Sequence, residues 1–70
     1  MNAAKLESSD RLQRVARFLR KQRRWVSTME IIQGANVCAV NSIVAELRAN
    51  GKAIPCKRVG SAWFYRWGGA

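Results

Sequence analysis

The chain has 70 residues and a formal net charge of +9, from 13 Lys and Arg against 4 Asp and Glu. That length makes one small domain with little room for a deep substrate cleft beside its core, and the charge favours nucleic acid or an anionic surface as partner. A hydrophobic fraction of 49% with three Trp, two Phe and one Tyr excludes wholesale disorder.

The longest apolar run is far below a membrane span, and no signal-peptide pattern is visible at the N-terminus. The expectation is therefore a cytoplasmic protein with no membrane partner. The chain has no His, no paired carboxylates and no phosphate-binding Gly loop with its Lys, so no enzyme and no small-molecule substrate are expected. Cys38 and Cys56 alone cannot make an ordinary four-ligand structural zinc site without two further carboxylates. No metal and no cofactor are expected.

Residues 1–8 read as a flexible N-terminal tail, 9–67 as the folded domain and 68–70 as a frayed end. The first helix opens at Ser8, Ser9 or Asp10, all good N-cap types. Leu12, Val15, Ala16 and Leu19 recur at the spacing of one buried stripe. Arg14, Arg17, Lys21 and Arg24 fall opposite, with Arg20 beside them and Arg11 at the edge. No acid lies between Arg11 and Arg24. Self-repulsion along such a helix is relieved by a polyanion, so Arg14, Arg17 and Lys21 are candidates for phosphate contact, against the plainer reading of a solvated face.

Trp25-Val26 reads as a brief extended link, with the possibility of a short strand. Ser27-Thr28-Met29-Glu30 matches a capping box for a second helix running to Gln33. Gly34 is expected in a tight turn of positive φ, and Asn36 as the N-cap of a third helix over 37–50. Val40, Ile43, Val44 and Leu47 give that helix its buried stripe. Val37, Cys38, Asn41, Ser42, Ala45 and Arg48 are left pointing outward, and Gly51 terminates the helix.

Residues 53–59 then read as a strand whose Pro55 argues for an edge. Gly60-Ser61 is a two-residue hairpin turn, and Ala62 to Trp67 returns as an aromatic strand. The period switches from about 3.6 to 2 after Gly51. The fold class is α+β: a three-helix helix-turn-helix core followed by a two-stranded β-hairpin.

The turn Gly34, the Asn36 cap, the Val40/Val44/Leu47 spacing, the Leu47-Arg48-Ala49-Asn50-Gly51 ending, Ile54 and the closing Tyr65-Arg66-Trp67 together resemble winged helix-turn-helix DNA-binding domains. The closest type is that found at the N-terminus of the biotin operon repressor and in small phage-encoded helix-turn-helix proteins. The matching stretch covers about sixty per cent of the chain, and the order of its parts is more specific than any one motif. The resemblance implies a third helix in the major groove of double-stranded DNA and a wing on phosphate or minor groove. It makes Val37, Cys38, Asn41 and Ser42 the base-facing candidates, Lys57 and Arg58 the wing candidates, and Arg48 and Lys52 backbone contacts. Asn41 has the two-pronged amide that matches adenine. The presumed reading face lacks Arg and Lys in its first two turns, which argues against strong sequence specificity.

The implied function is a small DNA-binding protein, a transcription regulator or accessory protein of a phage or mobile element, with a homodimer or protein partner possible. Two other classes stay open: a protein-interaction module using the hairpin aromatics, and an RNA-binding protein, since a basic helix with an aromatic strand also suits single strands. A cytosolic chain keeps its thiols reduced. Titration of the unfolded, freshly purified protein is therefore expected to count two free thiols, and a count of zero overturns both the redox and the compartment readings.

Overall fold

The computed structural model describes residues 5–68. A 3-10 turn at Leu6–Ser8 leads into helix α1 (Asp10–Gln22), strand β1 (Val26–Ser27), helices α2 (Thr28–Ala35) and α3 (Val40–Ala49), and strands β2 (Cys56–Val59) and β3 (Ala62–Tyr65). The chain is thus α+β, but its sheet has three antiparallel strands in the order β1-β3-β2, not the expected two. Extended Val26 and Ser27 pair with Tyr65 and Phe64. The physical reason is that a buried extended link must satisfy its backbone polar groups, and the free edge of β3 does so.

The stripe expected on α1 is buried as drawn, with Leu12, Val15 and Leu19 at 0% exposure. It packs against Ile31 and Ala35 of α2 and Val40, Ile43, Val44 and Leu47 of α3, with Val26, Ile54 and Tyr65 closing the core from the sheet side. Arg23 adopts a left-handed φ of 54° and ends α1, its N–H bonded to Leu19 O.

Of the expected tail over 1–8, Leu6–Ser8 form the 3-10 turn. Residues 1–4 lie outside the described residues, whereas the Leu6 amide donates to Asn50 Oδ1 at 3.0 Å and Gln13 Nε2 donates to Leu6 O at 3.1 Å. Leu6 packs on the core, which gives this turn a reason to be ordered. At the other end the Gly68 amide donates to Ala53 O at 2.8 Å. Residues 69–70 lie outside the described residues.

The capping box of α2 forms: Ser27 Oγ accepts from the Glu30 amide at 3.1 Å, and the Ser27 amide donates to Glu30 Oε1 at 2.9 Å. The helix then runs two residues past the expected Gln33, through Gly34. The positive φ is at Asn36 (54°), not Gly34. Asn36 therefore caps the C-terminus of α2 instead of opening α3, and Val37 folds back to donate to Ile32 O at 3.2 Å. An apolar residue just past a left-handed cap packs on the helix it follows, which is why Val37 is buried. Helix α3 begins three residues later than expected, at Val40, with Ala39 as an N-cap that offers no side chain to the first turn. Gly51 (φ 84°) and Gly60 (φ 62°) hold the expected helix stop and hairpin turn.

Gly34 serves close packing. A Cβ there would sit inside the ring of Phe18, against Cε1, Cζ and Cδ1. In an open helix Gly→Ala stabilises by up to about 1 kcal/mol, but forcing a ring from its seat costs about 1–3 kcal/mol. Gly34→Ala is expected to lower Tm by several degrees, and Phe18→Leu in the same chain to cancel that loss. A Gly34→Ala variant melting above the parent overturns the packing account.

Candidate nucleic-acid interface

Antiparallel register sets which hairpin side chains face α3. Cys56 pairs with Tyr65 and Arg58 with Trp63, whereas Lys57 pairs with Phe64 and Val59 with Ala62. Side chains alternate along a strand, so Cys56, Arg58, Trp63 and Tyr65 share one face and Lys57 lies on the other. Tyr65 is 4% exposed and Trp63 45% exposed, so that face runs from the core out to solvent. Between it and α3 lies a cleft of about 320 Å³ lined by Asn41, Val44, Arg48, Cys56, Trp63 and Tyr65.

The cleft is tied across by one bond: the Tyr65 hydroxyl donates to Asn41 Oδ1 at 2.8 Å. Asn41 is exposed in the first turn of α3, because the helix starts at Val40 and not at 37. Its Oδ1 retains a second lone pair, and its Nδ2 brings two donors. Ser42 is exposed beside it, and Cys38 is exposed in the loop before the helix. Val37 is 8% exposed and belongs to the core, so it leaves the set of outward-facing candidates. Arg48, expected to contact the DNA backbone, is exposed and also bonds within the chain. Its Nε donates to Ile54 O at 3.1 Å and its Nη2 to the same oxygen, fastening the loop after α3 to the helix.

The hairpin cations separate. Lys57 Nζ lies 4.6 Å from the centroid of the Trp25 ring, and Arg58 Nε donates to Gly60 O at 2.9 Å at the hairpin tip. Both remain exposed. The absence of acids between Arg11 and Arg24 is made good from outside that stretch: Arg11 pairs with Glu46 of α3 at 2.7 Å, Arg14 with Asp10 at the start of α1 at 3.3 Å and Arg24 with Glu30 at 2.8 Å. Arg17 and Lys21 have no acidic partner among the described residues. They border a groove of about 550 Å³ with Arg14, Phe18 and the α2–α3 turn. Lys52 and Arg17 also meet in a separate cleft on the other edge of α1. The sequence-derived cations therefore belong to several surfaces, while Asn41, Arg48 and the Arg58 face of the hairpin share one.

Sequence reasoning missed Tyr65 as the partner of Asn41 and Trp63 as the exposed wall opposite. The residues are 24 apart, and only the fold brings strand to helix. Cys38 and Cys56 are free and exposed. Among the described residues no group of three or more His, Cys, Asp or Glu could hold a metal ion, and no helix is long and apolar enough to cross a membrane. Comparison with protein-family models, curated proteins and solved structures finds no match to this chain.

One carboxylate is strongly perturbed. The hydrogen bond from Arg24, then that from the Ser27 amide, hold Glu30 down from 4.5 to about 2. A depressed carboxylate stabilises the fold above its unfolded value, and that contribution fades as pH falls from about 4.5 toward about 2. The Glu30 side-chain carbon resonance is expected to titrate near 2. Glu30→Gln should flatten the acid limb of the stability curve; a Glu30 midpoint above 4 would remove the Arg24 pair from solution.

Proposed function

We propose that this protein binds double-stranded DNA as a winged helix-turn-helix domain, with α3 in the major groove and the β2–β3 hairpin as the wing. The observation that carries the reading is the continuous face formed by the exposed side of α3 and the hairpin, with Asn41 held in place by Tyr65. The element order helix, short strand, helix, helix, hairpin supports it, as does the net charge of +9. In this reading Asn41 offers Oδ1 and Nδ2 to the N6 and N7 edge of adenine. Ser42 follows it in α3 and Cys38 stands exposed in the loop before the helix, and Arg58 and Lys57 grip phosphates without reading sequence. The natural role is transcription regulation or an accessory function on phage or mobile-element DNA.

The exposed face of α3 carries Asn41, Ser42, Ala45, Arg48 and Ala49. With its one cation turned toward Ile54 O, few base contacts are available, and affinity comes mainly from counterion release. A second reading, a protein-binding module, draws on exposed Trp63 (45%), Val59 (57%) and Met29 (59%). Binding that is insensitive to salt would favour it.

The test measures isotherms on a duplex selected from a random pool and on a scrambled duplex, at one fixed salt concentration. Asn41→Ala is expected to cost about 1–3 kcal/mol on the selected duplex and little on the scrambled one. Tyr65→Phe should reproduce part of that loss, because the amide is no longer oriented. Lys57→Ala with Arg58→Ala should weaken both duplexes alike and lower the salt slope by roughly one unit per lost contact. Equal losses on both duplexes for Asn41→Ala would take this residue off the reading face and leave a nonspecific binder.

A further inference from the structure

A further cleft lies away from the α3–hairpin face. It has a volume of about 630 Å³ and is lined by Leu6, Gln13, Ala16, Arg17, Arg20, Lys52 and Trp67. Four segments build it: the 3-10 turn, α1, the loop after α3 and the stretch after β3. Gln13, Arg17 and Arg20 follow one another at i, i+4, i+7 and so form one edge of α1. Arg11, which ties α1 to Glu46 of α3, is nine residues from Arg20, half a turn around the helix at 100° per residue. The cleft and the α3 contact are therefore on opposite edges of α1.

Three cations converge there with no acidic partner among the described residues. The described acids Asp10, Glu30 and Glu46 are paired with Arg14, Arg24 and Arg11, and none of these six residues lines the cleft. Beside the charges stand apolar surfaces. Trp67 is half-buried against the core, and the Arg20 guanidinium lies 5.7 Å from its ring centroid. Leu6 and Ala16 complete the apolar side. The walls are fixed, since Leu6 is pinned at both its amide and its carbonyl and Gly68, next to Trp67, is pinned to Ala53 O.

A bare inorganic anion would use the cations and leave the indole idle. A purely apolar ligand would bury unpaired cations. We infer that the cleft binds a nucleoside phosphate, its phosphate held by Arg17, Arg20 and Lys52 and its base lying against Trp67 and the Arg20 plane. Cleft volumes of about 300–1,000 Å³ suit ligands of that size, and bases stack on Trp and on guanidinium planes. The ligand is either a free mononucleotide or an unpaired nucleotide in a single strand. The inference uses no residue of the α3–hairpin face and stands independently of the duplex-binding proposal.

The experiment follows backbone and indole resonances of the labelled full chain during titration with AMP, adenosine, inorganic phosphate, a single-stranded oligoadenylate and a blunt duplex. AMP is expected to shift the Trp67 indole and the amides of Gln13, Ala16 and Lys52 saturably, while the Asn41 amide stays put. Arg20→Gln with Lys52→Gln should weaken AMP at least tenfold, with amide dispersion confirming the fold. A free nucleotide as ligand predicts equal affinity for AMP and oligoadenylate; an unpaired strand predicts tighter oligoadenylate binding at the same resonances. Duplex binding through α3 is read on Arg20→Gln alone, which leaves Lys52 in place, and should survive that substitution, so the two proposals fail separately. Absence of saturable shifts at Trp67 with both AMP and oligoadenylate overturns the inference. So does inorganic phosphate matching AMP in affinity, which would mean an adventitious anion only.

Discussion

Tyr65 is where the sheet, the core and the exposed face of α3 meet. It sits in the central strand, across from Val26 on one side and Cys56 on the other. Its ring is 4% exposed, and its hydroxyl reaches Asn41. A hairpin of two four-residue strands is marginal alone in water. This one is held to the helices because the aromatic in its central strand is a core residue and because β1 covers its other edge. Each role constrains the others: a ring buried between sheet and helix fixes the hairpin's approach, and that approach brings Cys56 and Trp63 to the cleft beside α3. The position of a surface amide thus depends on the packing of a buried ring.

The charges are organised by a second constraint. Three acids are matched to three of the arginines in and just after α1, and two of the pairs cross between elements: Arg11 to α3, and Arg24 to the first turn of α2. Exposed pairs of this kind contribute little stability. Their effect is on distribution, because they remove charge where helices meet and leave the remaining cations on outer surfaces. Arg48 shows the same economy, since its guanidinium spans the α3–β2 loop instead of projecting freely. Counting basic residues along the sequence overstates the charge that a partner meets at α3 and understates that at the α1 edge bearing Arg17 and Arg20.

What was legible in the sequence was local. The capping box at Ser27 and Glu30, the stripes on α1 and α3, the stop at Gly51 and the turn at Gly60-Ser61 each depend on neighbours within one helical turn or one hairpin. What was not legible depended on contacts across the fold. Gly34 looks like a turn glycine until Phe18 is seen packed on it, and Asn36 looks like an N-cap until its left-handed backbone ends α2. Val37 then belongs to the closure of α2 and moves from surface to core. The separation of Lys57 from Arg58 was within reach, since adjacent residues of a strand face opposite sides. Joining β1 to β3, and Tyr65 to Asn41, required the tertiary structure.

On the DNA-binding reading proposed above, the chemistry of the α3 surface limits how the domain discriminates among duplexes. Ala45 and Ala49 project no side chain beyond Cβ, and Ser42 little more, so the helix can approach a groove floor closely while offering few donors. Methyl groups of that size recognise thymine by apolar contact, and Asn41 supplies the one bidentate group. Such a face separates a few base pairs from their alternatives and cannot by itself define a long site. On the DNA-binding reading, the rest of the selectivity falls to duplex shape, sensed by a hairpin whose angle is fixed through Tyr65. Rigidity of the hairpin mount then matters as much as the identity of the side chains at its tip, because deformation energy is read only by a surface that does not yield first.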